Sequence, residues 1–255
     1  MIVEIEKHMD GQIVELRLAA PPANIVSEQM IDALRIALRE AAQTNEAKLL
    51  MISGKGDHFS YGASVEEHVR SRVGSMLPQF HALVRELIEV PVPTLACVTG
   101  RCFGGGFELA LACSLIFVDE TIAAGVPEIK LGVFPPVAAA LLGSLTTSCR
   151  AAEMVLTGKV YNSTSLLDAG LINQVVPAGR VHEAALEFAR THFAPLSAAS
   201  LRQAHRAVRS NVAARFREGI AQLEKQYLVD LMATADANEG IASFIEKRPP
   251  VWRNA

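Results

Sequence analysis

The sequence predicts an α/β protein with a helical C-terminal region. Short apolar segments typical of strands alternate with amphipathic segments typical of helices from the N-terminus to about Val176. This alternation favours helices packed around a sheet, and only helical patterns follow it. The chain has 255 residues, half of them hydrophobic, which is enough to bury one large core. We therefore predict an α/β core over residues 1–175 and a helical region over residues 176–255.

The first predicted elements are a hairpin and a capped helix. The strand-like runs IVEIEKH and QIVELRLA meet at Met9-Asp10-Gly11, and Asp-Gly is typical of a tight hairpin turn. Ser27 is suited to cap the following helix. Its predicted apolar face has residues three and four positions apart: Met30, Ile31, Leu34, Leu38 and Ala41.

Buried strands and further helices follow along the chain. KLLMISG, PVPTLACVTG and SLIFVDE are predicted strands. The segment from Val65 to Glu89 is predicted to be helical, with interruptions near Gly74 and Pro78. Another helix is predicted to begin at Phe107, directly after a cluster of glycines.

Charge and composition exclude several classes of protein. The formal net charge is −3, so the chain lacks the basic surplus of a typical nucleic-acid-binding protein. The N-terminus MIVEIEKHMDGQIVEL resembles neither a signal nor a transit peptide, and no segment reads as a membrane span. We expect a cytoplasmic protein with neither nucleic acid nor membrane as partner.

The four cysteines form no C-x-x-C pair. Cys97, Cys102, Cys113 and Cys149 lie mostly in apolar stretches. We interpret them as reduced core residues rather than as a disulfide framework or a zinc site.

The glycine cluster lies in GRCFGGGFELALAC, residues 100–113. The spacing G-x-G-x-x-G of a dinucleotide site and the Gly-Lys-Ser/Thr of a P-loop are both absent. Two interpretations stay open. The glycines permit close packing, or they let a substrate carbonyl approach the free N–H groups of a helix N-terminus, as in an oxyanion hole. In the second case Glu108 would lie beside the same carbonyl.

A second acid, Glu128, lies between Pro127 and Ile129 in an apolar loop. Two carboxyl groups in a dry site shift each other's pKa values, which suits general acid–base catalysis. The alternative is an exposed acid balanced by Lys130.

The other polar side chains give weaker indications of function than the two acids. Glu66, Glu67 and His68 are adjacent on a predicted helix and point apart, so a solvated face is favoured over a metal site; Glu67 or His68 could also border a pocket. His58 is interpreted as structural. A basic stripe on one helix favours a solvated or intersubunit face: Arg202, His205, Arg206 and Arg209.

Four stretches together resemble the crotonase (enoyl-CoA hydratase/isomerase) superfamily, nearly end to end. They are FSYGASVEEH, GRCFGGGFELALAC, GVPEIKLGVFP and ANEGIASFIEKRPP. The resemblance implies a spiral of ββα units, a C-terminal helical trimerisation region, and a homo-oligomer that is a trimer or a dimer of trimers.

The resemblance also implies a coenzyme A thioester substrate and no separate cofactor or metal. The thioester oxygen would lie between the N–H groups of Ala63 and Gly105, with Glu108 and Glu128 as catalytic acids. In the family's usual assignment Glu128 supplies the proton to carbon and Glu108 orients and activates water. Further substrate or coenzyme A contacts are implied at Gly62, Ser64, Val65, Gly104, Pro127, Phe134, Pro135, Phe244 and Lys247.

Two departures from common hydratases bear on the substrate. Ser64 replaces a usual aspartate, and a bulky stretch from Phe134 to Ala139 replaces a glycine-rich one. GASVEEH, EIKLGVFPP and YLVDLMATADANEG instead resemble hydratases that convert cyclohexa-1,5-diene-1-carbonyl-CoA to 6-hydroxycyclohex-1-ene-1-carbonyl-CoA in anaerobic benzoyl-CoA degradation. The alternatives are a general enoyl-CoA hydratase, a 3,2-enoyl-CoA isomerase or ring-cleaving relative, and, more remotely, an RNA-binding relative.

Overall fold

The structure is a computed structural model that describes residues 1–255. It contains eight strands: β1 (Val3–His8), β2 (Ile13–Leu18), β3 (Leu49–Gly54), β4 (Thr94–Val98), β5 (Arg101–Phe103), β6 (Leu115–Asp119), β7 (Ala123–Gly125) and β8 (Gln174–Val176). Six of them form one sheet in the order β1-β2-β3-β4-β6-β8, and β5 and β7 form a second, two-stranded sheet. Only β1 and β2 pair antiparallel; the other pairs are parallel.

Nine α-helices surround the sheets: α1 (Glu28–Ala42), α2 (Val73–Glu89), α3 (Gly105–Ala112), α4 (Pro136–Leu145), α5 (Ser148–Thr157), α6 (Ser163–Asp168), α7 (Val181–His192), α8 (Ala198–Lys225) and α9 (Ala235–Ile245). Short 3₁₀ turns occur at Val65–Glu67, Pro127–Leu131 and Leu231–Ala233. A π-helical turn, Gln226–Asp230, follows α8 directly.

The main sheet is apolar on both faces because helices cover both. Successive side chains of a strand point to opposite faces. Leu50 and Ile52 of β3 therefore join a core of 55 buried residues. Leu49 and Met51 join a second core of 10 residues that includes the buried face of α7. This explains why the strands have continuous apolar sequences.

The predicted α/β class and the C-terminal helical region are confirmed. The β1–β2 hairpin forms with Met9 and Asp10 in left-handed conformations. The Ser27 side chain accepts a hydrogen bond from the Met30 N–H, as expected for the cap of α1. The division of the chain at residue 175 stays a prediction; β8 ends at Val176, and only helices follow.

Two predicted helix boundaries are wrong. The chain between Val65 and Glu89 breaks at residues 68–72, whereas Gly74 and Pro78 both lie inside α2. Nine residues of α2 are buried, and this packing outweighs the low helix propensity of glycine and proline. Helix α3 begins at Gly105, two residues before the predicted start.

The basic stripe on α8 is not a solvated face. His205 and Arg209 are buried, and Arg209 donates hydrogen bonds to the carbonyls of Ala112 and Cys113 at the end of α3. Arg202 donates to three carbonyls between residues 42 and 47. These groups pack against their own chain because α8 crosses α2 and α4; only Arg206 is exposed.

The cysteine prediction holds for three of the four residues. Cys97, Cys102 and Cys113 are buried free thiols, whereas Cys149 is exposed near the start of α5. None of the helices is long and apolar enough to cross a membrane.

Candidate active site

The glycine cluster forms the junction between β5 and α3. Gly104 has φ +48°, which disfavours other residues, and a Cβ atom there would lie 2.5 Å from Oε1 of Glu128. A Cβ atom on Gly105 would lie 3.2 Å from the Ala63 nitrogen. Glycine is therefore required here for backbone conformation and for close approach.

Two backbone N–H groups meet at this junction. Gly105 is the first residue of α3, where N–H groups have no partner within the helix. The Ala63 N–H donates no hydrogen bond within the chain. Both nitrogens border the same cavity, so together they can bind a carbonyl oxygen that gains negative charge.

The loop that carries Ala63 is held by buried polar contacts. The Val26 N–H donates to the Gly62 carbonyl at 2.9 Å. The Gly62 N–H donates to Ser60 Oγ, which in turn donates to the Asn24 carbonyl. Asn24 is buried, and its side-chain amide donates to the carbonyls of two residues in the preceding loop. These bonds fix the position of the Ala63 N–H.

Glu108 lies one turn into α3 and is 4% exposed. Its Oε1 accepts a hydrogen bond from the Ala138 N–H at 2.7 Å. Ala138 is in the first turn of α4, where Pro135 and Pro136 set the start of the helix. Burial raises the pKa of Glu108 to about 7, against the opposing effect of the Ala138 and Val137 N–H groups. The carboxyl group is thus positioned by a helix N-terminus and is able to exchange a proton near neutral pH.

Glu128 lies in the 3₁₀ turn Pro127–Leu131. Its carboxyl group packs against Gly104, and its Oε2 is buried with no hydrogen-bond partner. Burial and the nearby charge of Glu108 raise the pKa of Glu128 well above its usual value. The alternative of a surface acid balanced by Lys130 is wrong, since no ion pair joins the two side chains.

Ala63, Gly105, Glu108 and Glu128 all line one cavity, most of whose other lining residues are hydrophobic, a setting typical of small-molecule sites. Its lining includes several residues expected to contact substrate: Gly62, Val65, Gly104, Pro127, Phe134 and Pro135. Ser64 does not line it; its carbonyl accepts hydrogen bonds from Glu67 and His68. Phe244 and Lys247 lie outside the cavity, in α9 and directly after it, and Phe244 is 55% exposed.

Sequence reasoning did not identify several lining residues, among them two tyrosines, Tyr61 and Tyr227. Tyr227 is 1% exposed, and its ring packs edge-on against Phe134 with centroids 5.4 Å apart. Tyr227 is the first residue of YLVDLMATADANEG, a stretch on which the resemblance partly rests. Helical periodicity could not place it in the site because it lies in a π-helical turn. Met76, Leu77 and Phe80 of α2 complete one apolar wall.

The residues Glu66, Glu67 and His68 do not form a shared site. Glu66 is exposed, whereas Glu67 is buried and accepts a hydrogen bond from the Glu28 N–H at the start of α1. His68 lines the cavity, and its Nδ1 contacts the Ser64 carbonyl. Of the two candidates for bordering a pocket, only His68 does so.

His58 and a second histidine cluster lie outside the cavity. His58 Nδ1 accepts a hydrogen bond from the Arg101 N–H, consistent with a structural role. Ligand-type atoms of His8, Glu15 and His182 lie within 4.8 Å of one another. Arg17 donates to both carboxylate oxygens of Glu15, so this cluster is an ion-pair network on the main sheet.

The chain belongs to the enoyl-CoA hydratase/isomerase family, whose family model matches residues 8–255. It is 41% identical over 245 residues to a cyclohexa-1,5-dienecarbonyl-CoA hydratase of Thauera aromatica, covering 96% of this chain and 94% of the relative. A carnitinyl-CoA dehydratase of Salmonella typhi is 31% identical over 250 residues, covering 96% of each chain. Among solved structures, EchA1_1 from Mycobacterium paratuberculosis superimposes with a TM-score of 0.87 at 27% identity, covering 100% of this chain and 99% of that one.

Proposed function

We propose that this protein is an acyl-CoA hydratase that adds water to a double bond conjugated to a coenzyme A thioester. One observation carries the proposal: the buried Glu108 and the half-buried Glu128, whose Oε2 is fully buried, line the same cavity as Ala63 and Gly105, whose N–H groups have no partner in the chain. Carboxyl groups with raised pKa values can exchange protons with water and carbon. The N–H pair can stabilise the enolate formed between the two proton transfers.

The proposed reaction uses both features in one conjugate addition. The thioester oxygen lies between the N–H groups of Ala63 and Gly105. The water oxygen bonds to the carbon β to the thioester, and a water proton passes to a carboxylate, with Glu108 orienting the water. Glu128 then delivers a proton to carbon, and the enolate collapses. Water is consumed, and no electron acceptor is required.

We further propose that the substrate is a cyclic dienoyl thioester, cyclohexa-1,5-diene-1-carbonyl-CoA. The 41% identity to a hydratase of that name supports this choice. The cavity wall also supports it, since Phe134, Pro135 and Pro136 form a stiff, bulky boundary. In a cyclic diene the second double bond extends the enolate. Protonation then occurs at the carbon of the second double bond that lies farther from the thioester-bearing carbon. This gives the 6-hydroxycyclohex-1-ene product.

The test is an ultraviolet assay of the purified protein with the cyclic dienoyl-CoA beside crotonyl-CoA, with product masses measured afterwards. We expect rapid formation of a water adduct from the cyclic diene and slow reaction of crotonyl-CoA. Fast hydration of crotonyl-CoA alone would retain the hydratase mechanism and overturn the substrate. An unhydrated product of unchanged mass would instead indicate an isomerase.

A general enoyl-CoA hydratase is the second candidate. A probable enoyl-CoA hydratase of Mycobacterium tuberculosis is 31% identical over 244 residues, covering 94% of each chain. The crotonyl-CoA arm of the same assay separates this candidate from the first.

We also propose that the protein works as a homotrimer or a dimer of trimers. The resemblance to the family, which implies such an assembly, supports this proposal. Coenzyme A would enter as part of the substrate and contact Phe244 and Lys247. Sedimentation-equilibrium mass tests the assembly, and a monomer at micromolar concentration would overturn it.

A further inference from the structure

Two polar atoms of residues that line the cavity lack hydrogen-bond partners. Oε2 of Glu128 and the hydroxyl of Tyr227 are each buried with no hydrogen-bond partner. Both side chains line the same cavity. A buried polar group without a partner is unfavourable, so the arrangement favours a ligand that satisfies both atoms.

The Tyr227 side chain is buried against the cavity wall. Tyr227 is 1% exposed, in the π-helical turn Gln226–Asp230 that follows the 28-residue α8. Such turns change the helical register locally and are frequent at functional sites. The ring is fixed against Phe134, which itself lines the cavity.

The Tyr227 hydroxyl acts as a donor. Burial and the charges of Glu128 and Glu108 raise the pKa of Tyr227, so the phenol keeps its proton at neutral pH. The carboxyl group of Glu128 can both donate and accept when it is protonated. The ligand atom that suits the pair accepts from Tyr227 and forms a hydrogen bond with the Glu128 carboxyl group, as the oxygen of water or of an alcohol can.

We infer that Tyr227 donates a hydrogen bond to the oxygen atom that is added to the substrate, as water before the reaction and as the product hydroxyl after it. This inference rests on the proposed hydratase function. In hydration the C–O bond forms while a carboxylate takes the water proton; in dehydration the C–O bond breaks and the same proton returns. Tyr227 keeps its own proton throughout and orients the oxygen lone pairs.

The inferred contact distinguishes alcohol from alkene. The hydroxylated thioester presents the oxygen atom that Tyr227 binds, and a thioester without the hydroxyl does not. Removal of the phenol oxygen should therefore weaken binding of the hydroxylated ligand selectively. A residue that serves only to pack the cavity would affect both ligands alike.

The experiment compares Tyr227→Phe with Tyr161→Phe. Tyr161 is a matched control, because it is 2% exposed and its hydroxyl also lacks a partner, yet it does not line the cavity. Calorimetry would measure the affinity of each variant for benzoyl-CoA and 2-hydroxybenzoyl-CoA. These flat thioesters do not react, and they differ only by a hydroxyl on the ring carbon next to the thioester-bearing one.

For Tyr227→Phe we expect about a tenfold loss of affinity for 2-hydroxybenzoyl-CoA, the effect of one hydrogen bond. Affinity for benzoyl-CoA should change less than about twofold, and kcat for hydration should fall by about tenfold or more. Tyr161→Phe should match the wild type in all three. Equal losses for both thioesters, or a Tyr227→Phe variant equal to Tyr161→Phe, would overturn the inference. A wild-type protein that hydrates no enoyl thioester would refute the proposed function instead.

Discussion

At the scale of single residues, the site depends on two acids in an environment that disfavours their charge. Burial raises the pKa of both Glu108 and Glu128. An acid whose pKa is higher in the folded state binds more protons there than in the unfolded chain, so its ionisation lowers stability as pH rises. We therefore expect the catalytic pair to oppose folding at neutral pH.

Glu128→Gln should reduce activity and increase stability. The amide keeps the shape of the carboxyl group and cannot transfer a proton, so kcat should fall by about 10²- to 10⁴-fold while thioester binding persists. The melting temperature should exceed that of the wild type at pH 8, with a difference that shrinks towards pH 4.5. Calorimetric melting beside steady-state kinetics checks both effects.

The control for this change is Glu66→Gln, at an exposed acid on the loop beside the cavity. It should leave kcat and melting temperature nearly unchanged. A Glu128→Gln variant with wild-type turnover would refute the two-acid mechanism.

The pH dependence of kcat/KM should be bell-shaped. The rate should rise through about pH 7 as Glu108, whose pKa burial raises to about 7, becomes a carboxylate. It should fall at higher pH as the pair loses its remaining proton from Glu128. The two apparent pKa values belong to the pair rather than to single residues. A profile that is flat between pH 5.5 and 9.5 would contradict this assignment.

At the scale of elements, α3 links the site to the C-terminal helices. Its N-terminus carries Gly105 and Glu108, and its C-terminal carbonyls accept hydrogen bonds from Arg209 of α8. A cation is favourable at the C-terminal end of a helix dipole. Burial lowers the pKa of Arg209, but a guanidinium remains charged near neutrality. The buried arginine thus holds the C-terminal end of the short helix that carries the proposed catalytic residues Gly105 and Glu108.

Arg209→Met should lower the free energy of unfolding by about 1–3 kcal/mol, because the Ala112 carbonyl at 2.6 Å would lose its donor. Methionine fills much of the space that the arginine stem occupies. Urea denaturation measures the effect, and Arg206→Met, at an exposed position on the same helix, is the control. Equal midpoints for the two variants would show that Arg209 does not stabilise α3.

The sequence predicted the kinds of elements better than their boundaries. The hairpin and the Ser27 cap follow from local chemistry, since a turn or a cap involves only neighbouring residues. The start of α3 at Gly105 and the uninterrupted course of α2 through Pro78 depend on packing against other elements. Local propensity does not contain that information.

At the scale of the whole molecule, an ion-pair network joins the N-terminal hairpin to the C-terminal region. Glu15 is fully buried on β2 and contacts His8 of β1, Ser53 of β3 and His182 of α7. Burial alone would raise the pKa of Glu15, but these hydrogen bonds lower it to about 2. The hydrogen bond to Glu15 in turn raises the pKa of His182.

His182→Ala should therefore destabilise the protein more at pH 6 than at pH 9. A histidine with a raised folded pKa stabilises the native state below its unfolded pKa of about 6.5. It loses that contribution as pH rises through the folded value. Thermal melting of wild type and variant at both pH values gives the difference, and His192→Ala, also on α7, serves as control. A loss that is the same at both pH values would contradict a charged His182.

The sequence by itself determined the α/β class, five of the eight strands and the residues expected to meet at the site. These follow from residue spacing, from glycine's conformational freedom, and from motifs at Ala63, Gly105, Glu108 and Glu128 that resemble a known family. Only the tertiary structure decided what surrounds them. It places Tyr227 at the cavity, uses the first turn of α4 to hold Glu108, and buries Arg209 under α3. These contacts join residues 30 to 97 positions apart. The spacing of residues along a sequence predicts only which face of its helix or strand a residue occupies. Packing between distant segments determines which residues that face contacts.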